Sequence, residues 1–182
     1  MSVLSPASGL APEESQLVAS AQERALWLLR EGAPLREVLA QLTTAAEALS
    51  RDRVVSSILL LDREGLLRNG ASPNLPADYL DAIDRLKPDP KLGTCAAAAA
   101  TGEIVETPSF HDDEKWAELR HLPLALGFVA AWSFPIKSAG GQVLGTFGTY
   151  FREQRLPTPA ERVGVALLAG VAAEAIGEHA AA

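Results

Sequence analysis

The sequence predicts an α+β fold, in which a central antiparallel sheet of about five or six strands has terminal helices on one face and a helical and loop insertion on the other. Three observations support this fold class. Helical periodicity is strongest at the two ends of the chain, β-rich segments occur as pairs joined by short turns, and 182 residues suffice for one buried core. We expect residues 33–178 to form the domain, residues 13–32 an N-terminal helix for dimerisation or signalling, and residues 1–12 and 179–182 flexible tails.

Two amphipathic helices come first in the chain. Apolar residues recur at helical spacing over residues 13–30 and again over residues 34–50, and Gly32 separates the two patterns. Residues 54–61 are then β-branched and apolar, and the turn at 62–65 leads into a short partner strand. This pair predicts a β-hairpin after the N-terminal helices.

The middle of the chain forms the predicted insertion. Pro76 opens a short helix that we expect to reach Leu86, and a proline-containing loop follows. Residues 92–102 predict an alanine-rich helix, residues 104–105 a short edge strand, and residues 109–120 one or two short surface helices. Because these elements interrupt the strands, we expect them to cover one face of the sheet.

The C-terminal part contains the clearest strand pair. Residues 130–136 and 142–151 alternate in a β pattern, and the turn at 138–141 joins them. Thr158 and Glu161 then have the spacing of a capping box, which predicts the start of a closing helix.

The alanine-rich segment 92–102 is the most informative for function. Gly93 and Gly102 bracket it, Thr94 is expected to cap it, and most of its other side chains are methyl groups. Such a helix packs closely on a neighbour, and its first main-chain N–H groups are free to face a pocket. We therefore predict that a small anion or a carbonyl oxygen binds there. The predicted donors are the N–H groups of Thr94, Cys95 and Ala96. The alternative is a tightly packed core helix without a ligand.

The bulk composition excludes several function classes. A net charge of −7 without a basic cluster argues against nucleic acid or an anionic membrane as a partner. One cysteine excludes an intrachain disulfide framework and a cysteine-rich metal site. Residues 1–12 lack the basic residues of a signal peptide, and we predict no membrane span of roughly 20 residues, so we expect a cytoplasmic protein.

The motifs, taken in order, resemble those of GAF domains of the bacterial signalling subgroup. The alanine-rich helix begins with Gly-Thr-Cys at residues 93–95, and a Trp-Ser strand follows at 132–133. A Val-Leu-Gly-Thr-Phe strand at 143–147 then runs into Tyr-Phe-Arg-Glu at 150–153. The resemblance covers about residues 35–178 and implies a GAF or PAS-like sheet.

The resemblance implies a non-catalytic, small-molecule-sensing module of bacterial signal transduction. Members of the family are usually dimeric and are attached to histidine kinases, cyclases or transcription activators. The sequence ends on its closing helix, so we expect a stand-alone sensor or an excised domain. Related free-standing proteins include a nitrate receptor that binds its anion at a helix N-terminus, which makes a small anion such as nitrate one candidate ligand. We predict no cofactor.

The central strands and the insertion supply the candidate pocket residues. Ser133 and Thr146 are the polar side chains that we expect to face the pocket, and aromatic rings are expected to exclude water from it. Gly145 and Gly148 lack side chains, which predicts close approach of the alanine-rich helix. The expected aromatic walls are Trp132, Trp116 and Phe110.

Two other chemistries stay open as alternatives. A thiol in the first turn of a helix has a lowered pKa, which would suit Cys95 to a redox sensor, although no second cysteine is present as a resolving partner. Ala96 follows it where a bilin-binding domain usually has histidine. A metal site of His111 with Asp112 or Asp113 is the other alternative, and we predict no metal.

The terminal helices predict how a signal leaves the domain. Their small apolar residues, within 17–28 and 163–177, suit a homodimer whose rearrangement would reach a histidine kinase or a regulator. The alternative is that both helices only cover their own sheet. The competing function is a ligand-free GAF scaffold for dimerisation or protein interaction, and its pocket would be filled by its own side chains.

Overall fold

A five-stranded antiparallel sheet is the middle layer of the protein, in a computed structural model that describes residues 9–181. The strands are β1 (Val54–Leu61), β2 (Leu67–Ala71), β3 (Val105–Thr107), β4 (Ala130–Lys137) and β5 (Val143–Phe151). Their order across the sheet is β2-β1-β5-β4-β3, and each neighbouring pair is antiparallel. The predicted fold class is confirmed.

Helices cover both faces of this sheet. They are α1 (Pro12–Arg30), α2 (Leu35–Leu49), α3 (Ala77–Ala82), α4 (Cys95–Thr101), α5 (His121–Ala125) and α6 (Pro159–Ala181), with a 3₁₀ turn at Glu114–Trp116. α1, α2 and α6 pack together on one face. α3, α4 and α5 form the insertion between β2 and β4, and this insertion covers the other face.

Each face has its own hydrophobic core, because side chains alternate between the two faces along a strand. On β5, Phe147 and Phe151 pack against the terminal helices, whereas Tyr150 packs under the insertion. On β4, Trp132 and Ile136 also face the terminal helices. Both faces of the central strands are therefore buried.

Packed or helical residues continue into both segments that the sequence predicts as tails. Of the predicted tail 1–12, residues 1–8 lie outside the described residues, and Leu10 is buried in the core of the terminal helices. At the other end α6 continues to Ala181, which corrects the predicted tail at 179–182. Alanine has the highest helix propensity, so the terminal alanines extend the helix at little cost.

The first helix of the insertion is shorter than predicted. The helix expected over residues 76–86 ends at Ala82, and Arg85 has a left-handed φ of 62°. The chain then returns to the sheet edge, where the N–H of Leu67 donates to the carbonyl oxygen of Leu86 at 2.9 Å. Tertiary pairing therefore replaces the last helical turn.

A second difference lies in the later part of the insertion. Residues 109–120 contain only the 3₁₀ turn, and α5 follows at a place where we predicted no helix. Pro123 is in the first turn of α5, where a missing N–H leaves no helical hydrogen bond unmade. α5 was not predicted because five residues are too few to show helical periodicity and because proline usually interrupts a helix.

α6 is long and apolar enough to cross a membrane by length and composition, which the sequence analysis missed. A core helix of a soluble domain has the same composition. α6 packs against α1, α2, β4 and β5, so one side of it is part of the fold.

The start of α6 is fixed by a buried carboxylate. The predicted capping box is confirmed: the N–H of Thr158 donates to Glu161 at 2.9 Å, and the N–H of Glu161 donates to the Thr158 hydroxyl at 3.1 Å. Glu161 also accepts hydrogen bonds from Arg155 and Ser50, each at 2.7 Å. Burial alone would raise the pKa of Glu161, but the hydrogen bonds from Arg155, Thr158 and Ser50 outweigh it and lower the pKa.

We predict that Glu161→Gln destabilises the protein by about 2 kcal/mol at pH 7, because Arg155 loses a buried charged partner. A lowered folded-state pKa means that this stabilisation is present above the unfolded pKa of about 4.3 and is lost as the pH falls through the folded value. Urea unfolding between pH 7 and pH 3 should therefore show the two proteins converging in acid. Glu178→Gln, on the exposed surface of α6, is the control and should change little. A difference for Glu161→Gln that stays constant with pH would contradict the prediction.

Candidate functional site

A small cavity lies between the sheet and the insertion. Its volume is about 20 Å³, which holds about one water molecule. None of the residues that line it in the described chain carries a formal charge at neutral pH. They are Leu59, Tyr79, Ile83, Leu86, Gly93, Thr94, Cys95, Ala96, Trp116, Leu119, Ala131, Trp132, Gly148, Thr149 and Tyr150.

Helix α4 forms one wall because it packs directly on β4 and β5. Gly148 permits this contact, since a Cβ there would lie 2.9 Å from the Cys95 sulfur. Gly102 ends α4 with a left-handed φ of 69°, as predicted. The prediction for Gly145 is wrong: a Cβ there would meet the carbonyl oxygen of Leu59 on β1 rather than α4.

A chain of hydrogen bonds holds the roof of the cavity. The indole N–H of Trp116 donates to the Thr94 hydroxyl at 2.8 Å, and the Thr94 and Thr107 hydroxyls are 3.0 Å apart. Thr107 donates to Asp113 at 3.0 Å, so the proton between the two threonines belongs to Thr94. Burial alone would raise the pKa of Asp113, but hydrogen bonds from Lys115 and Thr107 outweigh it and lower the pKa.

The hydrogen bonds of Thr94 show that its predicted role as the cap of α4 is wrong. Its side chain makes no capping hydrogen bond to α4. The hydroxyl accepts from Trp116 and donates to Thr107, so its single proton is used in joining β3 to the roof. Thr94 therefore closes the cavity with its side chain.

Two of the predicted aromatic walls lie together in the insertion. The ring centroids of Trp116 and Phe110 are 4.4 Å apart, and both side chains are buried. Trp116 lines the cavity beside Gly93, and Phe110 does not line the cavity. Of these two predicted walls, only Trp116 is thus part of the roof, and Phe110 packs against it.

Trp132 does not have the position that we predicted. Its side chain packs with the core of the terminal helices, and the Arg162 guanidinium lies 6.0 Å from its ring centroid. Trp132 is also among the residues that line the cavity, so its main chain is the part that reaches it. Side chains alternate between the two faces along β4, so Ala131 points toward the insertion and Trp132 points away from it.

Ser133 and Thr146 lie beneath α4 rather than along the cavity. The Ser133 hydroxyl donates to the Cys95 sulfur at 3.4 Å. The Thr146 hydroxyl is buried and makes no hydrogen bond of regular geometry within the described residues, but it lies near enough to Cys95 to reduce the rise that burial causes in the pKa of that thiol. Whether either residue contacts a ligand stays a prediction.

The geometry around Cys95 opposes the redox alternative. The residue is partly accessible where it lines the cavity, but its thiol is surrounded by protein, and this burial raises the thiol pKa despite the hydrogen bond from Ser133. The reactive species of a cysteine is the thiolate, which a raised pKa disfavours. For the metal alternative, no three His, Cys, Asp or Glu side chains of residues 9–181 converge on a common point.

The predicted amide donors remain without a protein acceptor in the described part of the chain. Gly93 donates its N–H to the carbonyl oxygen of Lys115 at 2.7 Å, and Ala98 donates to Thr94 at 3.0 Å. No hydrogen bond is found for the N–H groups of Thr94, Cys95 and Ala96. Ligand binding by these groups stays a prediction.

Tyr79 and Tyr150 also line the cavity, and neither was predicted to do so. Tyr150 lies on the same face of β5 as Gly148, two residues away, and this period of two was the available signal. Tyr79 comes from α3, and nothing in the sequence indicates that its ring meets the sheet. The apolar walls at Leu59, Ile83 and Leu119 were likewise not predicted.

A family model described as GAF domain matches residues 32–177, which is most of the chain. The chain belongs to the GAF domain family. The match begins one residue before the domain boundary that we predicted and ends one residue before the predicted end at residue 178.

Individual relatives agree with this family. The chain is 37 % identical over 166 residues to the methyl sulfide methyltransferase-associated sensor of Methanosarcina acetivorans, covering 89 % of this chain and 16 % of that protein. The chain thus spans about a sixth of the length of this curated relative. A domain assigned to a two-component sensor histidine kinase of Sinorhizobium meliloti is 25 % identical with a TM-score of 0.66, covering 81 % of this chain and 94 % of that one.

The fold is also found in enzymes. A free methionine-R-sulfoxide reductase of Thermoplasma acidophilum is similar with a TM-score of 0.60 at 16 % identity, covering 80 % of this chain and 96 % of that one. At this identity the likeness shows the fold alone. What the comparisons establish for this chain is therefore a GAF domain, and the relative at 37 % identity is named as a sensor.

We predict that Thr94→Val destabilises the protein by about 2 kcal/mol, because it leaves the buried Trp116 N–H without an acceptor. Thr94→Ser keeps the hydroxyl and is the matched control, which should cost less than about 1 kcal/mol. Urea unfolding followed by circular dichroism gives both values. Equal stability of the two variants would show that the hydrogen-bond chain does not hold the roof.

Proposed function

We propose that this GAF domain is a non-catalytic, small-molecule sensor of cytoplasmic signal transduction. The observation that carries the proposal is the closed, uncharged cavity between the sheet and the insertion. A lining of apolar groups with a few polar ones is the composition of a ligand site, while the volume is that of a site still closed by the insertion. The sensor relative and the histidine kinase domain of the same fold support the signalling role.

A ligand larger than one water molecule enters only when the insertion moves away from the sheet. Besides the apolar contacts between the insertion and the sheet, the roof is held by hydrogen bonds of Thr94 to Thr107 and of Tyr79 to Tyr150. Breaking a few such bonds costs on the order of a few kcal/mol, which is the scale of a sensor switch. The described arrangement, whose cavity has room for about one water molecule, is then the closed one.

Strand β3 connects the roof to the C-terminal helix. Thr107 on β3 belongs to the hydrogen-bond chain of the roof, and its neighbour Glu106 forms an ion pair with Arg162 of α6. Adjacent strand residues point to opposite faces, so β3 links the two helical layers. Movement of the roof would reach α6 by this route and would then alter contact with a histidine kinase or a regulator.

A homodimer through the terminal helices would pass the signal on. Ala166, Leu167, Gly170 and Gly177 lie on the exposed surface of α6. A Cβ at Gly170 or at Gly177 would meet no atom within 4 Å, so the fold of one chain does not require glycine there. Glycine in a helix costs about 1 kcal/mol relative to alanine. Close approach of a second copy of α6 would account for that cost.

The GAF scaffold remains the second candidate function, because the cavity is small. A space of about 20 Å³ is nearly filled by the protein's own side chains, which is what a scaffold without a ligand would show. The redox alternative at Cys95 is disfavoured by the raised pKa of its buried thiol. Ligand binding and dimerisation are separable, so they can be tested one at a time.

Ligand binding is tested with Ala131→Val, which adds two methyl groups to the cavity wall. We expect native mass spectrometry of the purified chain, or a thermal-shift panel of small ketones, amides, acetate and nitrate, to reveal a ligand for the unaltered protein. Ala131→Val should lose that ligand because Ala131 lines the cavity, and Ala131→Ser, which is close in size to alanine, should keep it. Absence of any adduct and of any thermal shift with the unaltered protein would favour the scaffold.

Dimerisation is tested with Gly170→Leu. The variant should fold, since a side chain there meets open space, but we expect its dimer dissociation constant to rise roughly tenfold or more in analytical ultracentrifugation. Ala117→Leu, on the exposed surface of the insertion, is the control and should leave the dimer unchanged. A monomeric unaltered protein, or a variant that dimerises equally well, would contradict the proposed interface.

A further inference from the structure

Two phenol groups face each other at the cavity. Tyr79 of α3 and Tyr150 of β5 both line it, and their hydroxyl oxygens are 2.7 Å apart. The two residues are 4 % and 5 % exposed, and their rings meet edge to face with centroids 5.9 Å apart. One tyrosine belongs to the insertion and the other to the sheet, so their hydrogen bond joins the roof to the floor.

This pair leaves one hydrogen-bond donor unused. Each phenol has a single O–H donor, and a contact between two hydroxyl oxygens uses only one of the two. Within the described residues, neither hydroxyl donates to any other side-chain or main-chain atom. A buried donor without an acceptor is unfavourable, so the pair is suited to a guest that supplies an acceptor.

The surroundings of the pair are uncharged. Burial raises the pKa of Tyr79 and of Tyr150, so both hydroxyl groups remain protonated donors at neutral pH. Burial also raises the pKa of Cys95, which keeps its thiol neutral. No lysine, arginine or histidine of the described chain lines the cavity, so an anion would lose its hydration without gaining a cationic partner.

We infer that Tyr79 and Tyr150 select a small uncharged carbonyl compound, whose oxygen enters between the two hydroxyl groups and accepts a hydrogen bond from each. This inference rests on the proposed sensor function and decides between its two ligand classes. The ligand exchanges one hydrogen bond between the phenols for two to its own oxygen, while its apolar part contacts Leu59, Ile83 and Leu119. Separation of the phenols releases the insertion from the sheet, so recognition and opening are the same event.

The two tyrosines of the chain make the experiment direct. Because the chain has only two, labelling tyrosine with ¹³C at Cζ gives two NMR signals, and both report on this pair. The probes are N-methylacetamide and acetone as uncharged carbonyl compounds, with acetate and nitrate as anions. We expect both uncharged probes to shift both signals in a saturable manner and the anions to shift neither.

Variants of each tyrosine give the second measurement. Tyr79→Phe and Tyr150→Phe should each weaken binding of N-methylacetamide roughly three- to tenfold, which is the effect of one hydrogen bond. Ala117→Leu is the control and should bind as the unaltered protein does. The signals of the unaltered protein decide the matter even if a variant fails to fold.

The outcomes separate the inference from the proposed function. Saturable shifts by acetate or nitrate that exceed those of the uncharged probes would overturn the inference and leave the sensor function standing. Binding of the uncharged probes that neither tyrosine variant weakens would overturn the role of the phenols alone. No shift with any probe, together with no adduct in the purified protein, would overturn both.

Discussion

The site depends on how closely α4 approaches the sheet. Four consecutive alanines of this helix, residues 96–99, are buried, and Gly148 on β5 leaves room for the Cys95 sulfur against the strand. Because neither partner has a long side chain at the contact, the helix lies directly on β4 and β5 and closes one wall of the cavity. A larger side chain on either side would move the helix outward, and the cavity with its roof would move with it. Close packing on the sheet therefore requires the small residues of α4, and the cavity wall results from this packing.

The polar groups above this contact are used mainly to connect elements of the fold. Trp116, Thr94, Thr107 and Asp113 form a directed chain of hydrogen bonds in which each hydroxyl donates once and accepts once. Such a chain is satisfied only when all of its members are in place, so it holds the roof in a single closed position. Glu106, beside Thr107, continues the connection to α6 on the opposite face. A short edge strand thus joins the two helical layers through adjacent side chains, and this is the route of the coupling that we propose.

The order of the elements, the family and the close packing of α4 could be predicted because they depend on local signals. The alternation of apolar and polar residues predicted the strands, a capping box predicted the start of α6, and the spacing of Gly93 and Gly102 predicted α4. The cavity walls depend on tertiary contacts that leave no such signal. Both faces of β4 are apolar, so periodicity could not say that Trp132 faces the terminal helices, and nothing local shows that Tyr79 reaches Tyr150. Thr94 was predicted as a cap because threonine often has that role. In the structure its hydroxyl makes no capping bond and instead accepts a hydrogen bond from Trp116.

The small volume of the cavity bears on how such a domain would report a ligand. A cavity that was already open would bind its ligand without change, and equal affinity for two arrangements shifts no equilibrium. Here the closed state holds about one water molecule, so any larger guest binds only to an opened insertion. The cost of opening lowers the apparent affinity, since only the open fraction of the protein binds. Because the closed state has no room for such a guest, the two states differ in affinity, and this difference allows a ligand to shift them. A nearly filled cavity is therefore compatible with a sensor, provided that hydrogen bonds closing it lie between the sheet and the insertion, as those of Tyr79 to Tyr150 and of Thr94 to Thr107 do.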